Sequence, residues 1–144
     1  MPTRNGKATW HGAVPGGTGE VTTQSGALSA AYSFPSRFED GDGSNPEELI
    51  GASHASCYAM AFSLLLGQKG YRVERIDAQA EVTIDEVDGR PTITGSELSV
   101  SGRVEGIDAA EFERIAEEAK GFCPVSRALA GTNVTLTRAE LGSG

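Results

Sequence analysis

The chain has 144 residues, of which 38% are hydrophobic and 22% charged, and its formal net charge is −8. This length predicts one domain, residues 1–144, with a core of its own. The acidic balance argues against nucleic acid as a partner, because phosphate contacts need clustered Lys and Arg, and against docking on an anionic membrane. The first seven residues lack the apolar stretch of a secretory signal, so we expect a cytoplasmic protein.

The first third of the sequence has a β pattern. Short segments separated by turn glycines predict strands over Lys7–Trp10, Glu20–Gln24 and Ala27–Phe34. The following segment, from Arg37 to Pro46, is rich in Asp, Gly, Ser and Asn, and this composition predicts a loop.

A long helix is predicted next. Asn45 is a suitable N-cap, and Pro46 takes the first helical position, where its missing N–H is not needed. Apolar and small residues occupy nearly every face up to Gly67 or Gly70, a pattern typical of a helix buried in a core. A membrane span is the rival interpretation of so long an apolar run, but His54, the serines and the opening glutamates argue against it.

The second half of the chain mixes strands and helices. Asp88-Gly89 is a hairpin-turn signal, and Phe112 and Ile115 belong to an apolar pattern with helical spacing. In chain order we predict strands Val73–Val87 and Thr92–Val104, a helix capped by Asp108 over Glu111–Lys120 and ended by Gly121, a short helix Pro124–Ala130, and a strand Asn133–Arg138. Runs of strands separated by helices predict an α+β fold.

Two cysteines are the main candidates for chemistry. Cys57 lies within the long helix, where a small buried core residue is the commoner interpretation. Cys123 precedes Pro124 and is expected at the N-cap of a short helix, where free N–H groups and the helix dipole favour a thiolate. In the cytosol, a cysteine pair is more often reactive than structural.

Metal and cofactor sites are not predicted. His11 and His54 would bring the two cysteines to four candidate ligands, but the four residues lack the local spacing of a metal site. The sequence also contains no phosphate loop, no Ser-His-Asp signature and no cofactor fingerprint.

Arg37 and Glu47 are candidate activating residues. A guanidinium near a thiolate stabilises it, and Glu47 can hold Arg37 in a bidentate pair, although a solvated surface charge is the commoner role of a lone loop arginine. Glu47 and Cys57 are ten residues apart, about 15 Å along a straight helix. Either the helix breaks, for example near Gly51, or the pair comes from a second subunit.

His54 precedes Cys57 by three residues, so the two side chains can lie on neighbouring faces of the helix. A hydrolase with Cys57 as nucleophile and His54 as base is therefore an alternative function. A core or interface histidine with its hydrogen bonds satisfied is the commoner role. A non-enzymatic stress or ligand-binding protein is a further alternative.

Two segments together resemble the OsmC/Ohr family of organic hydroperoxide reductases. The first is Asn45-Pro-Glu-Glu-Leu-Ile-Gly-Ala-Ser-His-Ala-Ser-Cys57-Tyr-Ala-Met-Ala, and the second is Gly121-Phe-Cys123-Pro-Val-Ser. Trp10-His-Gly and Ser36-Arg37-Phe-Glu also match the OsmC branch. The resemblance covers nearly the whole chain and implies an α+β fold, with antiparallel strands around a central buried helix, in an intertwined homodimer.

The resemblance also implies roles. Cys57 would be the peroxidatic cysteine, Cys123 the resolving cysteine, and Arg37 with Glu47 the activating pair. The expected reaction reduces an organic hydroperoxide and forms a Cys57–Cys123 disulfide, which a lipoyl-type dithiol or a small thiol then reduces. Apolar residues are expected to shape a pocket for organic substrates, with Phe38, Met60 and Phe62 as candidates.

Overall fold

The computed structural model describes residues 1–142. The chain divides after Leu49 into two compact units. Each unit contains a three-stranded sheet of its own. The single domain expected for residues 1–144 therefore stays a prediction.

The first unit is built on an antiparallel sheet in the order β1-β2-β3. Aromatic rings of two strands meet on this sheet, with the Trp10 and Tyr32 centroids 5.5 Å apart. Gly19 lies beneath them and has no room for a side chain, because a Cβ would approach the Tyr32 ring to 2.5 Å. The strands are β1 (Gly6–His11), β2 (Thr18–Thr23) and β3 (Ser29–Tyr32), which confirms the three short strands predicted from the sequence.

A short helix, α1 (Phe34–Phe38), follows β3 where the sequence predicted the end of a strand and the start of a loop. That prediction was wrong because a capping box starts a helix here. The Ser33 hydroxyl accepts a hydrogen bond from the Ser36 N–H, and the Ser36 hydroxyl accepts one from the Ser33 N–H. Arg37 therefore lies in a helical turn instead of a loop.

Helix α2 (Pro46–Gln68) begins at the predicted residue. The Asn45 side-chain oxygen accepts a hydrogen bond of 2.7 Å from the Glu48 N–H, which confirms the N-cap. Tyr58 and Phe62 on one face are fully buried, whereas Met60 and Leu64 on the opposite face are 77% and 49% exposed. Helix α2 therefore contributes one face to the core, as its pattern predicts, and leaves the opposite face exposed.

Helix α2 is also long and apolar enough to cross a membrane, with a mean hydropathy of 1.5 over its most apolar stretch and 39% of that stretch buried. The core helix of a soluble protein meets the same criterion. Length and composition are therefore weak evidence for a span, and α2 supplies fully buried side chains to the core of the second unit.

The second unit contains a sheet in the order β4-β5-β6. Strands β4 (Arg72–Val87) and β5 (Arg90–Glu105) form the predicted long antiparallel hairpin. Asp88 and Gly89 at its turn both have positive φ, 53° and 74°, as a type I′ turn requires. Strand β6 (Asn133–Leu141) runs parallel to β5, so the expectation of antiparallel strands was wrong for this pair.

Helices α3 (Ala109–Phe122) and α4 (Pro124–Ala128) form the crossover that a parallel β5–β6 pair requires. Asp108 caps α3 as predicted, by accepting a hydrogen bond of 2.8 Å from the Glu111 N–H. Helix α3 continues through Gly121 to Phe122, two residues beyond the predicted last residue, Lys120. Apolar side chains of α2, β5 and α3 form the core, the largest being Tyr58, Phe62, Phe112, Leu66, Leu98 and Ile115. The α+β class is confirmed.

Candidate active site

Cys57 lies on the part of α2 that belongs to the second unit, half-buried and packed against the core. The next residue, Tyr58, is fully buried, and its hydroxyl donates a hydrogen bond of 2.8 Å to the Ala116 carbonyl of α3. This bond fixes the rotation of α2 about its axis at this point. The Cys57 thiol is therefore held at the margin of the core instead of its centre.

Cys123 is fully buried where α3 ends and α4 begins. Its backbone is extended, its N–H donates to the Ala119 carbonyl at 3.0 Å, and its carbonyl accepts from the Arg127 N–H at 3.1 Å. The predicted N-cap position is confirmed. The Cys123 side chain makes no capping hydrogen bond, so the free N–H groups of α4 do not serve this thiol.

The two cysteines meet, although 66 positions separate them in the sequence. The Cys123 side chain and the Val125 N–H in the first turn of α4 both lie beside the Cys57 thiol, close enough to act on its pKa. Burial is the main cause that raises the pKa of Cys57; the Val125 N–H lowers it, and Cys123 raises it further. The sequence predicts that the N–H groups of α4 stabilise a thiolate at Cys123, whereas the Val125 N–H acts on Cys57 instead.

Arg37 and Glu47 form the bidentate pair that the sequence suggested, within the first unit. Arg37 Nε lies 3.1 Å and 3.2 Å from the two Glu47 carboxylate oxygens, and Nη2 lies 2.7 Å from Oε1. Glu47 is 7% exposed. Ser36 helps to fix the pair, because its hydroxyl donates to the Ser44 carbonyl at 2.7 Å and its carbonyl accepts from Asn45 at 3.0 Å.

Helix α2 is continuous from Pro46 to Gln68. One of the two alternatives drawn from the spacing of Glu47 and Cys57, a helix break near Gly51, is therefore wrong. A Cβ at Gly51 would lie 3.1 Å from the Ala80 carbonyl oxygen of β4, so this glycine allows the helix to approach the strand closely. The second alternative, that the ion pair comes from another subunit, stays a prediction.

An apolar groove of about 190 Å³ borders Arg37 in the first unit. The Arg37 guanidinium carbon lies 5.2 Å from the centre of the Phe38 ring. The groove is lined by Trp10, Val14, Tyr32, Ser33, Phe34, Arg37 and Phe38. Of the three residues expected to shape a substrate pocket, Phe38 borders a groove beside the arginine, Met60 lies on the exposed face of α2, and Phe62 is a core residue.

His54 is fully buried and is not a base for Cys57. Its Nδ1 lies 2.7 Å from the Ser96 hydroxyl and its Nε2 lies 2.8 Å from the Ser126 hydroxyl, so both ring nitrogens have partners. Burial lowers its pKa, which favours the neutral imidazole. The Cys57–His54 hydrolase lacks the nucleophile–base contact that it needs.

Sequence reasoning missed three residues around the cysteines: Ser96, Val125 and Ser126. No local pattern marks them, because Ser96 reaches His54 from β5 and the other two act through the way α4 packs on α2. Among residues 1–142, no group of three or more His, Cys, Asp or Glu is placed to hold a metal ion.

Comparisons with known proteins extend over most of the chain. The family described as OsmC-like protein matches residues 39–137. The chain is 46% identical over 127 residues to peroxiredoxin OsmC of Escherichia coli strain K12, covering 88% of this chain and 89% of that protein. It is 34% identical over 140 residues to an organic hydroperoxide resistance protein of Xanthomonas axonopodis pv. citri, covering 91% and 94%.

A solved structure agrees with the fold. The organic hydroperoxide resistance protein OhrB of Bacillus subtilis superposes with a TM-score of 0.69 at 27% identity, covering 96% of this chain and 98% of that one. Such agreement over nearly the full length of both chains means that the order of elements described above is shared. The α+β fold that the sequence resemblance implied is therefore confirmed, and the intertwined homodimer stays a prediction.

Proposed function

This chain belongs to the OsmC-like family, and we propose that it is a thiol-dependent peroxidase that reduces organic hydroperoxides to alcohols in defence against oxidative and osmotic stress. The contact between the thiols of Cys57 and Cys123 carries the proposal. Two free cysteines that meet beside a helix start can pass through the oxidation states of a peroxidase cycle.

We assign the first step to Cys57, the more accessible of the two thiols. Its thiolate attacks one oxygen of the hydroperoxide, and the O–O bond breaks. The sulfur is oxidised to a sulfenic acid, while the peroxide is reduced to an alkoxide that leaves as the alcohol after taking a proton. The Val125 N–H stabilises the thiolate before the attack.

Cys57 needs a further activating charge. Burial raises its pKa, so the thiolate is scarce at neutral pH unless a cation lies nearby. We assign this role to Arg37, which Glu47 orients through two parallel hydrogen bonds. Because α2 is continuous, the pair is proposed to act on the cysteine of a second subunit.

Cys123 completes the cycle as the resolving cysteine. Its sulfur attacks the Cys57 sulfenic acid, a disulfide forms, and the hydroxyl group leaves as water. An external dithiol, of the lipoyl type or a small thiol, then reduces the disulfide by exchange. The cycle uses no bound metal or organic cofactor.

The apolar groove beside Arg37 supports an organic substrate. Its volume of about 190 Å³ has room for a small aromatic group, since an apolar cavity of about 150 Å³ can hold benzene, and aromatic rings line it. The organic part of the hydroperoxide would lie against Phe38, while Arg37 polarises the peroxide oxygens. Hydrogen peroxide has no organic group to bury in this groove, so organic hydroperoxides should bind more tightly.

The protein is proposed to be a cytoplasmic homodimer that binds neither nucleic acid nor membrane. The exposed apolar face of α2, where Met60 is 77% and Leu64 49% exposed, supports a protein partner for this face. The net charge of −8 argues against phosphate-rich partners. Two free, contacting cysteines suit a reducing compartment.

The decisive experiment measures consumption of cumene hydroperoxide with dihydrolipoamide or dithiothreitol, in wild type, Cys57→Ser and Cys123→Ser. We expect the wild type to turn over and to form an intramolecular disulfide, seen as a loss of about 2 Da by mass spectrometry without reductant. Cys57→Ser is expected to be inactive. Without reductant, Cys123→Ser is expected to consume one equivalent of peroxide to form the sulfenic acid and one more for each further oxidation, and to form no intramolecular disulfide.

Two other results would point elsewhere. Full turnover by Cys123→Ser would mean that Cys123 is not the resolving cysteine and that the protein is a peroxidase with one catalytic cysteine. If all three proteins leave the peroxide untouched, the fold serves a non-enzymatic stress or ligand-binding role.

A further inference from the structure

A buried polar network connects the helix that carries Cys57 to the helix start that follows Cys123. His54 is 0% exposed and Ser96 1% exposed, and Ser126 is 7% exposed. The His54 ring lies between the two serine hydroxyls, at 2.7 Å from Ser96 and 2.8 Å from Ser126. A neutral imidazole has one donor and one acceptor, and each hydroxyl can serve as either, so both ring nitrogens of His54 are satisfied.

The two serines of this network belong to different elements of the structure. Ser96 lies on β5, within the sheet. Ser126 lies in the first turn of α4, three residues after Cys123. The bond from His54 to Ser126 therefore fastens the resolving-cysteine segment to α2, whereas the bond to Ser96 fastens α2 to the sheet.

A second polar contact acts beside the first. The N–H of Val125, the neighbour of Ser126, lies beside the Cys57 thiol and lowers its pKa. His54 and Cys57 are three residues apart on α2 and so lie about one helical turn apart. The first turn of α4 is thus attached to α2 at two points, and only the His54–Ser126 contact does not depend on the oxidation state of a sulfur.

We propose that His54 is a positioning residue for disulfide formation: through Ser126 it holds the start of α4 so that Cys123 stays within reach of the Cys57 sulfenic acid. The inference rests on the proposed peroxidase function and adds a residue to its second step. Oxidation of Cys57 changes the sulfur that Val125 contacts, so the His54–Ser126 bond is the contact that persists while the disulfide forms.

The Cys57 sulfenic acid can react in two ways, and the position of Cys123 at the start of α4 determines which reaction is faster. In the first, the Cys123 sulfur attacks Cys57, the disulfide forms and water leaves. In the second, a further hydroperoxide oxidises the sulfenic acid to a sulfinic acid and is itself reduced to the alcohol. A loosened α4 slows the first reaction and leaves the second unchanged, so more sulfinic acid accumulates at a given peroxide dose.

The test compares Ser126→Ala with Ser96→Ala, because each variant removes one hydroxyl from the same imidazole. The reduced proteins are mixed with cumene hydroperoxide, quenched at intervals and analysed by mass spectrometry. The first step is followed as peroxide loss, and the second as disulfide formation against a gain of about 32 Da for the sulfinic acid. Thermal melts of both variants measure any general loss of stability.

We expect Ser126→Ala to slow disulfide formation about five- to tenfold, the equivalent of one ordinary hydrogen bond, and to raise the sulfinic fraction. The rate of peroxide loss in the first turnover should fall much less, because the Val125 N–H still lies beside the Cys57 thiol before oxidation. Ser96→Ala is expected to form the disulfide at the wild-type rate. Ser126→Thr keeps a hydroxyl and is expected to restore most of the rate.

Equal slowing in Ser126→Ala and Ser96→Ala would show a general effect of stability and overturn the inference, as would unchanged disulfide formation in both. Either result leaves the proposed function intact, provided that the wild type forms the disulfide. A wild type that reacts with hydroperoxide without forming any disulfide would overturn both proposals.

Discussion

The two compact units hold the two halves of the proposed catalytic machinery by different means. In residues 50–142, the buried apolar side chains extend from Tyr58 to Cys123 and form the core on which the cysteine pair is mounted. In residues 1–49, the buried side chains are polar, Ser36 and Glu47. The Arg37–Glu47 pair is therefore fixed mainly by hydrogen bonds, and the cysteine pair mainly by packing, with the buried His54–Ser126 hydrogen bond added to it.

This difference predicts how each unit responds to substitution. A three-stranded sheet without a core of its own is marginally stable, so little of the free energy of unfolding depends on the first unit. Changes there are expected to alter reactivity more than stability. Changes in the second unit are expected to alter stability, and reactivity only where they reach Cys57 or Cys123.

The largest effect is expected from Arg37→Met. Loss of the guanidinium removes the cation proposed to stabilise the Cys57 thiolate, and turnover of cumene hydroperoxide should fall by about 100-fold or more. The pH at which Cys57 is half-alkylated by iodoacetamide should rise, because burial already raises the pKa of this thiol. The melting temperature should change little.

The matched control for Arg37→Met is Arg75→Met. Arg75 also forms a close pair with a carboxylate, Asp77, but on an exposed face of β4. This variant should keep wild-type turnover, since exposed pairs contribute little. The turnover of Arg37→Lys should lie between those of the two variants, because lysine keeps the positive charge but cannot form the bidentate pair with Glu47. If Cys57 in Arg37→Met is half-alkylated at the same pH as in the wild type, Arg37 does not stabilise the Cys57 thiolate.

The next largest effect concerns the face of α2 that the second unit leaves open. Leu64→Glu should weaken self-association about 100-fold, because a carboxylate would be buried in the proposed dimer contact. Turnover should fall with it, since the activating pair is proposed to come from the second subunit. Sedimentation velocity over a concentration series, run beside the peroxidase assay, measures both changes.

Val87→Glu is the control for Leu64→Glu. Val87 is 43% exposed and Leu64 49%, but Val87 lies at the β4 hairpin end, away from α2. It should leave association and turnover unchanged. A Leu64→Glu protein that sediments as the wild type would place the dimer contact elsewhere.

The same contrast explains what the sequence could predict. Elements with strong local signals were predicted nearly to the residue: the Asn45 cap of α2, the Asp88-Gly89 hairpin and the Asp108 cap of α3. The helix α1 was missed because its capping box consists of two serines, Ser33 and Ser36, in a segment whose composition predicts a loop.

Long-range features of the candidate site were beyond local signals. Each cysteine could be identified from its motif, and the paired motifs indicated the family. The family resemblance implied their contact, but neither segment alone could predict it, because it depends on how α4 packs against α2. For the same reason, the partners of His54 on β5 and α4 and the parallel pairing of β6 have no signature in the segments that form them.

A smaller effect is expected from pH, and it separates the two histidines. Burial lowers the pKa of His54 below its unfolded value of 6.5. The unfolded chain therefore binds a proton that the folded chain resists, and the free energy of unfolding should fall as pH drops through 6.5 towards the lower folded pKa. Urea unfolding at pH 7.5 and pH 5.5 measures the change.

His11, exposed on β1, provides the comparison. His11→Asn should keep the full pH dependence, whereas His54→Gln should lose part of it whatever its absolute stability. If the two variants show the same slope between pH 7.5 and pH 5.5, carboxylates and not the buried imidazole would account for the acid sensitivity.

The smallest effect compares two helix caps, one in each unit. Ser33→Ala removes the capping box of α1, and Asp108→Ala removes the cap of α3, each a change of about 1 kcal/mol for the helix concerned. Asp108→Ala should lower the free energy of unfolding by about that amount and keep the peroxidase rate, since α3 belongs to the core. Ser33→Ala should instead lower turnover about fivefold and leave the melting temperature nearly unchanged. The reason is that a frayed α1 holds Arg37 in its bidentate geometry for less of the time.

Equal losses of stability in the two variants would mean that the first unit unfolds together with the core. The proposed difference between a unit fixed by packing and a unit fixed by local hydrogen bonds would then be wrong.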